Sequence, residues 1–134
     1  MIFVLDTNVL SERLKSNANS SVEDFLRCLP PENVRVSAMT LAEIAQGVEN
    51  NPIPTSRQFL SEVLTLPIAE FGETEALEWA RITSKALGRG LRIEARDAII
   101  AATAATHGWT IATRNTADFA PLAVKVFDPW KQRL

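Results

Sequence analysis

Hydrophobic and polar positions along the chain follow two periods: short apolar runs typical of buried strands, and longer stretches with helical spacing. Strands are predicted at Ile2–Leu5, Val34–Ser37, Pro67–Glu70, Thr110–Ala112 and Val124–Phe127. Helices are predicted at Thr7–Lys15, Val22–Leu29, Leu41–Val48, Thr55–Leu64, Glu73–Leu87 and Asp97–His107. Because strands and helices alternate, we expect an α/β fold, a three-layer sandwich around a central, mostly parallel sheet of about five strands.

Capping residues predict where several of these helices begin and end. Ser20 and Glu23 have the spacing of a capping box, in which each side chain bonds the backbone N–H of the other residue, and they predict the start of the second helix. Thr40 and Glu43 have the same spacing and place Glu43 in the first turn of the third helix. Gly108 is predicted to close the last helix.

Length and composition indicate one globular domain spanning residues 1–134, since 46% of the residues are hydrophobic. No apolar run approaches the length of a membrane span, and the first residues, MIFVLDTN, are typical of a strand rather than a signal peptide. Cys28 is the only cysteine, so no internal disulfide can form and a reducing, cytoplasmic location is expected. Its place on the apolar side of a short helix predicts that Cys28 lies in the core.

Charge gives no overall attraction for nucleic acid, because the net charge is −2. Positive charge is locally concentrated at Arg81, Lys85 and Arg89, which share one face of a predicted helix and form either a solvated surface or an RNA contact. With one His and one Cys, the chain cannot build a Cys/His zinc site. Its many carboxylates are the hard oxygen ligands that magnesium and manganese prefer.

Four carboxylates lie where strands lead into helices or at helix starts: Asp6, Glu43, Asp97 and Asp118. Each has a structural interpretation, as an N-cap for Asp6 and Asp97, a capping box for Glu43, and a turn residue for Asp118. Together they are expected to converge, because ligands bind at the carboxyl ends of parallel strands. Two carboxylates about 5 Å apart repel by roughly 3 kcal/mol at an effective dielectric of 20. A converged set therefore favours a divalent cation and metal-assisted phosphodiester hydrolysis.

Four segments, in order along nearly the whole chain, resemble the PIN-domain toxins of the VapC and FitB kind. They are LDTNVLSE (Leu5–Glu12), SAMTLAEIAQG (Ser37–Gly47), DAIIAATAATHGWTIATRNTADF (Asp97–Phe119) and VKVFDPW (Val124–Trp130). The resemblance implies a PIN-like fold and a magnesium-dependent endoribonuclease, with manganese as a substitute, acting on RNA as the toxin of a type II toxin–antitoxin module. It also implies a small cognate antitoxin as partner, and homodimers.

The same resemblance implies roles for the acidic residues. Asp6 and Asp97 match the principal metal ligands of the family, and Glu43 matches the residue that holds a second ion or a metal-bound water. Asp118 matches the acid that completes the outer shell of the site.

Neighbouring polar residues are expected to orient those carboxylates or the phosphate: Asn8 matches the family's DTN, while Thr113 and Asn115 match its TRN. The sequence departs from the family pattern at Glu94–Arg96, where relatives often carry apolar residues or proline. Arg96 is therefore predicted to form an ion pair near the site.

An alternative function is a magnesium-binding phospho-receiver or signalling module on a similar sheet. The receiver pattern has two adjacent acidic residues after the first strand and a Lys at the last strand. In this chain Asp6 is the only acidic residue directly after the first strand. A phosphatase with an aspartyl nucleophile would normally need a second Asp two residues later, where this chain has Asn8. Uptake of a phosphoryl group from a small phosphodonor would support the receiver.

Overall fold

The computed structural model describes residues 1–134, and its centre is a parallel sheet of five strands. The strands are β1 (Phe3–Leu5), β2 (Val34–Ser37), β3 (Ile68–Ala69), β4 (Thr110–Ala112) and β5 (Val126–Phe127). They lie side by side in the order β3-β2-β1-β4-β5, and every neighbouring pair is parallel. The predicted parallel sheet of five strands is confirmed.

Helices cover both faces of the sheet. They are α1 (Thr7–Glu12), α2 (Ser20–Cys28), α3 (Ala38–Asn50), α4 (Pro54–Val63), α5 (Glu73–Gly88), α6 (Ala95–His107) and α7 (Thr116–Phe119). Short 3₁₀ turns occur at Pro31–Asn33 and Ala120–Leu122. None of the helices combines the length and apolar character needed to span a membrane.

Strand β1 divides the hydrophobic core into two layers, because successive side chains of a strand point to opposite faces. Phe3 and Leu5 pack into a cluster built from α1, α2 and α4, with Phe25 edge-on to Phe3 at 5.1 Å between ring centroids. Val4 packs on the other face, in a cluster built from α5, α6 and α7. These three strand side chains are at most 2% exposed, and burying each stabilises the fold by about 1.5–3 kcal/mol.

Helix α2 begins earlier than predicted, because Asn19 is its N-cap. The side-chain oxygen of Asn19 accepts hydrogen bonds from the backbone N–H groups of Ser21 at 2.9 Å and Val22 at 3.2 Å. The prediction of a capping box that opens the helix at Val22 is therefore wrong. Cys28 is exposed, not buried, because it lies outside the stripe that Val22 and Phe25 turn towards the core.

Helix α3 also begins earlier than predicted, directly where β2 ends. The Ser37 hydroxyl accepts a hydrogen bond from the Thr40 backbone N–H at 3.0 Å and caps the helix. Ala38 is thus the first helical residue, and the predicted capping box of Thr40 and Glu43 does not form. Glu43 lies in the second turn, and its side chain takes no part in capping the helix.

The carboxyl ends of β1 and β4 meet at one edge of the sheet and position the residues that follow them. The Asp6 backbone N–H donates to the Ala112 carbonyl at 3.0 Å, and the Thr113 N–H donates to the Phe127 carbonyl at 2.9 Å. Asp6 and Thr113 are therefore fixed beside each other although 107 positions separate them in sequence.

Candidate active site

An acidic cleft of about 640 Å³ opens at this edge of the sheet. Eleven residues line it, and Ile100 is the only hydrophobic one. The cleft contains all four carboxylates predicted from the sequence: Asp6, Glu43, Asp97 and Asp118. They come from the start of α1, the second turn of α3, the first turn of α6 and the short helix α7.

Asp6 is held by hydrogen bonds at both of its carboxylate oxygens. Oδ1 accepts from the Thr7 backbone N–H at 2.9 Å, which confirms the N-cap interpretation. Oδ2 accepts from the Thr113 hydroxyl at 2.7 Å and from the Asn8 amide at 3.3 Å. The carboxylate is thereby fixed in one orientation, with its remaining acceptor capacity available to the cleft.

The loop after β4 is tied to the start of α1 through the same residues. Asn8 accepts from the Arg114 backbone N–H at 3.2 Å, and the fully buried Thr113 hydroxyl accepts from the Asn115 backbone N–H at 3.0 Å. Asn8 and Asn115 both line the cleft. Of the three residues expected to orient the site, Asn8 and Thr113 therefore bond Asp6 directly, and Asn115 is linked to it through Thr113.

Asp97 has the most strongly perturbed carboxyl group in the cleft. Its pKa is raised to about 6, first by burial and then by repulsion from Asp118, Asp6 and Glu94, while Arg96 opposes the shift. The N-cap interpretation of Asp97 is wrong, because α6 begins two residues earlier and Glu94 occupies the cap position. Capping of α6 therefore does not explain why an acidic residue occupies position 97.

Glu43 is paired with Arg96, which confirms that Arg96 forms an ion pair near the site. Arg96 Nη1 lies 2.7 Å from Glu43 Oε2, and the pair joins α6 to α3. Burial raises the pKa of Glu43 and Asp6 adds to the rise, whereas the Arg96 guanidinium lowers it.

Four further residues of the cleft were not identified from the sequence as site residues: Thr7, Ser11, Glu94 and Ile100. Glu94 is the N-cap of α6, three residues before Asp97, and this closeness in sequence could have indicated its place. Thr7 contributes a buried hydroxyl that has no hydrogen-bond partner. Asp118 lies in the cleft as expected; its alternative interpretation as a turn residue is wrong, because it lies in α7, a helix of four residues that is too short to give a periodic signal.

The basic residues Arg81, Lys85 and Arg89 line a separate groove between α5 and the segment 121–124. Arg81 forms an ion pair with Glu78, so part of the positive charge is neutralised. The contact of this surface with RNA stays a prediction.

The donor chemistry of the cleft fits a hard divalent cation. No group of three or more Asp, Glu, His or Cys side chains is arranged to hold a metal ion. Magnesium does not require three protein ligands, because it is commonly bound by one or two carboxylates and keeps several of its water ligands. The mutual repulsion that raises the pKa of Asp97 is also what a cation would relieve.

The PIN domain family matches residues 3–125, which is most of the chain. The chain belongs to the PIN-domain family. The toxin FitB of Neisseria gonorrhoeae is 40% identical, in an alignment covering 96% of this chain and 99% of that protein. The VapC ribonuclease Y4jK of Sinorhizobium fredii is 30% identical and covers 97% of this chain and 99% of its own length. The resemblance drawn from the sequence is confirmed.

Solved structures place this PIN domain in the same fold. The crystal structure of FitAcB from Neisseria gonorrhoeae aligns with a TM-score of 0.87 and 39% identity over 98% of this chain and all of that chain. FitAB bound to the IR36 DNA fragment aligns with a TM-score of 0.85 and 37% identity over 99% of each chain. The predicted sandwich around a parallel sheet is the PIN fold.

Proposed function

We propose that this PIN domain is a magnesium-dependent endoribonuclease, with manganese as a substitute ion, and the toxin of a toxin–antitoxin module. One observation carries the proposal: four carboxylates from four separate segments meet in one cleft at the carboxyl edge of the sheet. Relatives of nearly full-length similarity are a toxin and a VapC ribonuclease, which supports RNA as the substrate class.

Asp6 and Asp97 would hold the ion. Asp6 is already oriented by Thr113 and Asn8, so little conformational freedom is lost on binding. A bound divalent ion would activate water and neutralise charge on the phosphodiester. Asp118 increases the negative potential around Asp97, and the amides of Asn8 and Asn115, which line the cleft, would orient the carboxylates or the phosphate.

Incubation of the purified chain with total RNA tests the activity, with the cut ends mapped by sequencing. We expect internal cleavage with magnesium or manganese, and none with excess chelator or for Asp97→Asn. Arg27→Gln is the matched control, because its ion pair with Asp24 lies on α2, outside the cleft. Undiminished cleavage in excess chelator, by protein shown by elemental analysis to be metal-free, would exclude the proposed chemistry.

A cognate antitoxin is part of the proposal, and so is a homodimer. The acidic cleft is complementary to a basic side chain, which could enter it, neutralise the carboxylates and block RNA. Co-expression of the small protein encoded beside this chain should relieve growth inhibition and form a purifiable complex. Sedimentation of the free chain should give a dimer; failure of every neighbouring small protein to bind would contradict the antitoxin.

The phospho-receiver alternative is disfavoured by membership of the PIN-domain family. A receiver transfers phosphate to an Asp from a small phosphodonor such as acetyl phosphate. Intact-mass measurement after such treatment should show no added phosphoryl group. A stable phosphorylated species at Asp6 would favour the alternative.

A further inference from the structure

A positively charged side chain of this chain's own already lies among the carboxylates of the cleft. Arg96 is the only cation of the eleven residues that line it. The acids lining the cleft are Asp6, Glu43, Glu94, Asp97 and Asp118. Arg96 therefore offsets one of five negative charges, and it does so at a particular carboxylate, that of Glu43.

The geometry of the pair favours this one partner. The 2.7 Å separation is that of a charge-assisted hydrogen bond; the Arg96 side chain is 59% exposed, and the Glu43 side chain is 22% exposed. A guanidinium does not lose its proton at any physiological pH, so its charge is permanent. Glu43 lies on α3, whereas Asp97 and Arg96 lie on α6, so the pair also bridges two walls of the cleft.

We propose that Arg96 is a resident counter-ion for Glu43 and limits the cleft to a single divalent ion, held through Asp6 and Asp97. The inference rests on the proposed function, since it concerns the ion of that site. Glu43 is then the ion-pair partner of the Arg96 guanidinium and not a metal ligand. Arg96 occupies the position beside Glu43 that a second ion would need.

Two electrostatic consequences follow if Arg96 loses its charge. The ion at Asp6 and Asp97 should bind more tightly, because a nearby repelling charge has been removed. Glu43, half-buried beside Asp6, would be left without a cation and should attract a second divalent ion. If Arg96 formed only a surface ion pair, its loss would change neither the affinity for the first ion nor the number of ions bound, because exposed ion pairs contribute little free energy.

Manganese titration of the RNA-free protein tests this, with bound and free ion distinguished by electron paramagnetic resonance and affinities obtained by calorimetry. We expect one manganese ion per chain for wild type. Arg96→Gln should bind the first ion at least tenfold more tightly and take up a second. Arg96→Lys should keep the count at one, and Arg27→Gln, whose pair lies on α2, should match wild type.

Glu43 provides a second, independent test. Glu43→Gln alone should still bind one ion, because Glu43 is not a ligand while Arg96 is present, but with lower affinity, because a negative charge is lost and Arg96 is left unpaired. In the double variant Glu43→Gln/Arg96→Gln, the second ion should disappear again. Melting curves of each variant establish that the folded protein is being titrated.

The outcomes separate this inference from the proposed function. Wild type that cleaves RNA and binds two ions, or an Arg96→Gln variant with wild-type count and affinity, overturns the counter-ion while leaving the nuclease intact. Loss of the single ion in Glu43→Gln overturns it as well. Wild type that neither binds manganese nor cleaves RNA overturns both.

Discussion

The hydroxyl of Thr113 donates a 2.7 Å hydrogen bond to Oδ2 of Asp6, across 107 positions of sequence. A hydroxyl has one proton to donate, and the Thr113 oxygen also accepts from the Asn115 backbone N–H at 3.0 Å. Asp6 is therefore the acceptor in this pair, and Thr113 connects the ends of β1 and β4 to the loop that carries Asn115. Asp6, the proposed metal ligand, and the loop are positioned by the same buried oxygen.

Replacing Thr113 with Val should weaken both metal binding and folding. The substitution keeps the shape but removes the donor to Asp6, and losing such a supporting contact typically costs about 10–100-fold in metal affinity or activity. It also leaves the Asn115 N–H without its partner, which should destabilise the fold by about 1–3 kcal/mol. Thr113→Ser keeps the hydroxyl and should retain most manganese affinity; a Val variant with wild-type affinity would contradict the role.

Two glycines of helices should respond to alanine with opposite signs. Gly108 caps α6 with φ at +69°, a conformation that costs a residue with a Cβ about 1 kcal/mol, so Gly108→Ala should destabilise. Gly47 lies inside α3, where an added Cβ would meet no other atom within 4 Å, so Gly47→Ala should stabilise by about 0.5–1 kcal/mol. Urea unfolding measures both; changes of the same sign would contradict the backbone assignment.

Asp97 should contribute a fall in the stability of the metal-free protein as pH rises from about 4 to about 6. Burial and crowding with other acids raise the pKa of Asp97 from its usual 3.8 to about 6, so the folded state holds this proton more tightly than the unfolded state. The pKa of Glu43 is raised in the same direction. Denaturant unfolding of both proteins across this pH range isolates that contribution: the free energy of unfolding of wild type minus that of Asp97→Asn should decrease as pH rises.

Manganese affinity should respond to pH in the opposite direction. Protons compete with the ion for Asp97, so affinity should rise as pH increases through about 6. Calorimetry between pH 5 and pH 8, a range of about three units around that value, measures the dependence. A flat profile would show that Asp97 does not bind the ion in its charged form.

The sheet was predictable because β1 and β4 are short runs of buried, mostly apolar residues. Phe3–Leu5 is apolar throughout, and Thr110–Ala112 is buried at all three positions, with Thr110 as its one polar residue. Helix starts were less predictable, because neighbouring residues compete to cap them. Thr40 has the capping-box spacing with Glu43, but Ser37 stands at the end of β2, and where the strand ends decides which residue caps.

The candidate site was predictable as a set of acids and less so in its detailed contacts. Strand ends converge in any parallel sheet, so the position of Asp6 beside Asp118 and Asp97 follows from topology. The partner of Arg96 does not, because Glu43 lies 53 positions away on another helix. Such a contact depends on how α3 and α6 pack, which no local pattern of residues encodes.

Asp97→Asn separates the function of this residue from its contribution to the fold. The amide has the shape of the carboxylate but lacks the charge that Asp118, Asp6 and Glu94 repel. In the metal-free protein at pH 7.5, about 1.5 units above the raised pKa, the variant should be at least as stable as wild type. The lost interaction with the helix dipole offsets this by about 0.3–1 kcal/mol, less than a relieved repulsion of a few kcal/mol.

Magnesium should raise the melting temperature of wild type, because an ion selective for the native state stabilises it, and should raise that of Asp97→Asn much less. Asp24→Asn is the matched control, since Asp24 is an exposed carboxylate on α2 paired only with Arg27. It should keep the full magnesium shift and the cleavage activity. If Asp97 only stabilised the first turn of α6, Asp97→Asn would also keep the magnesium shift and the cleavage activity. An Asp97→Asn protein with both properties would show that Asp97 is not a functional residue of the site.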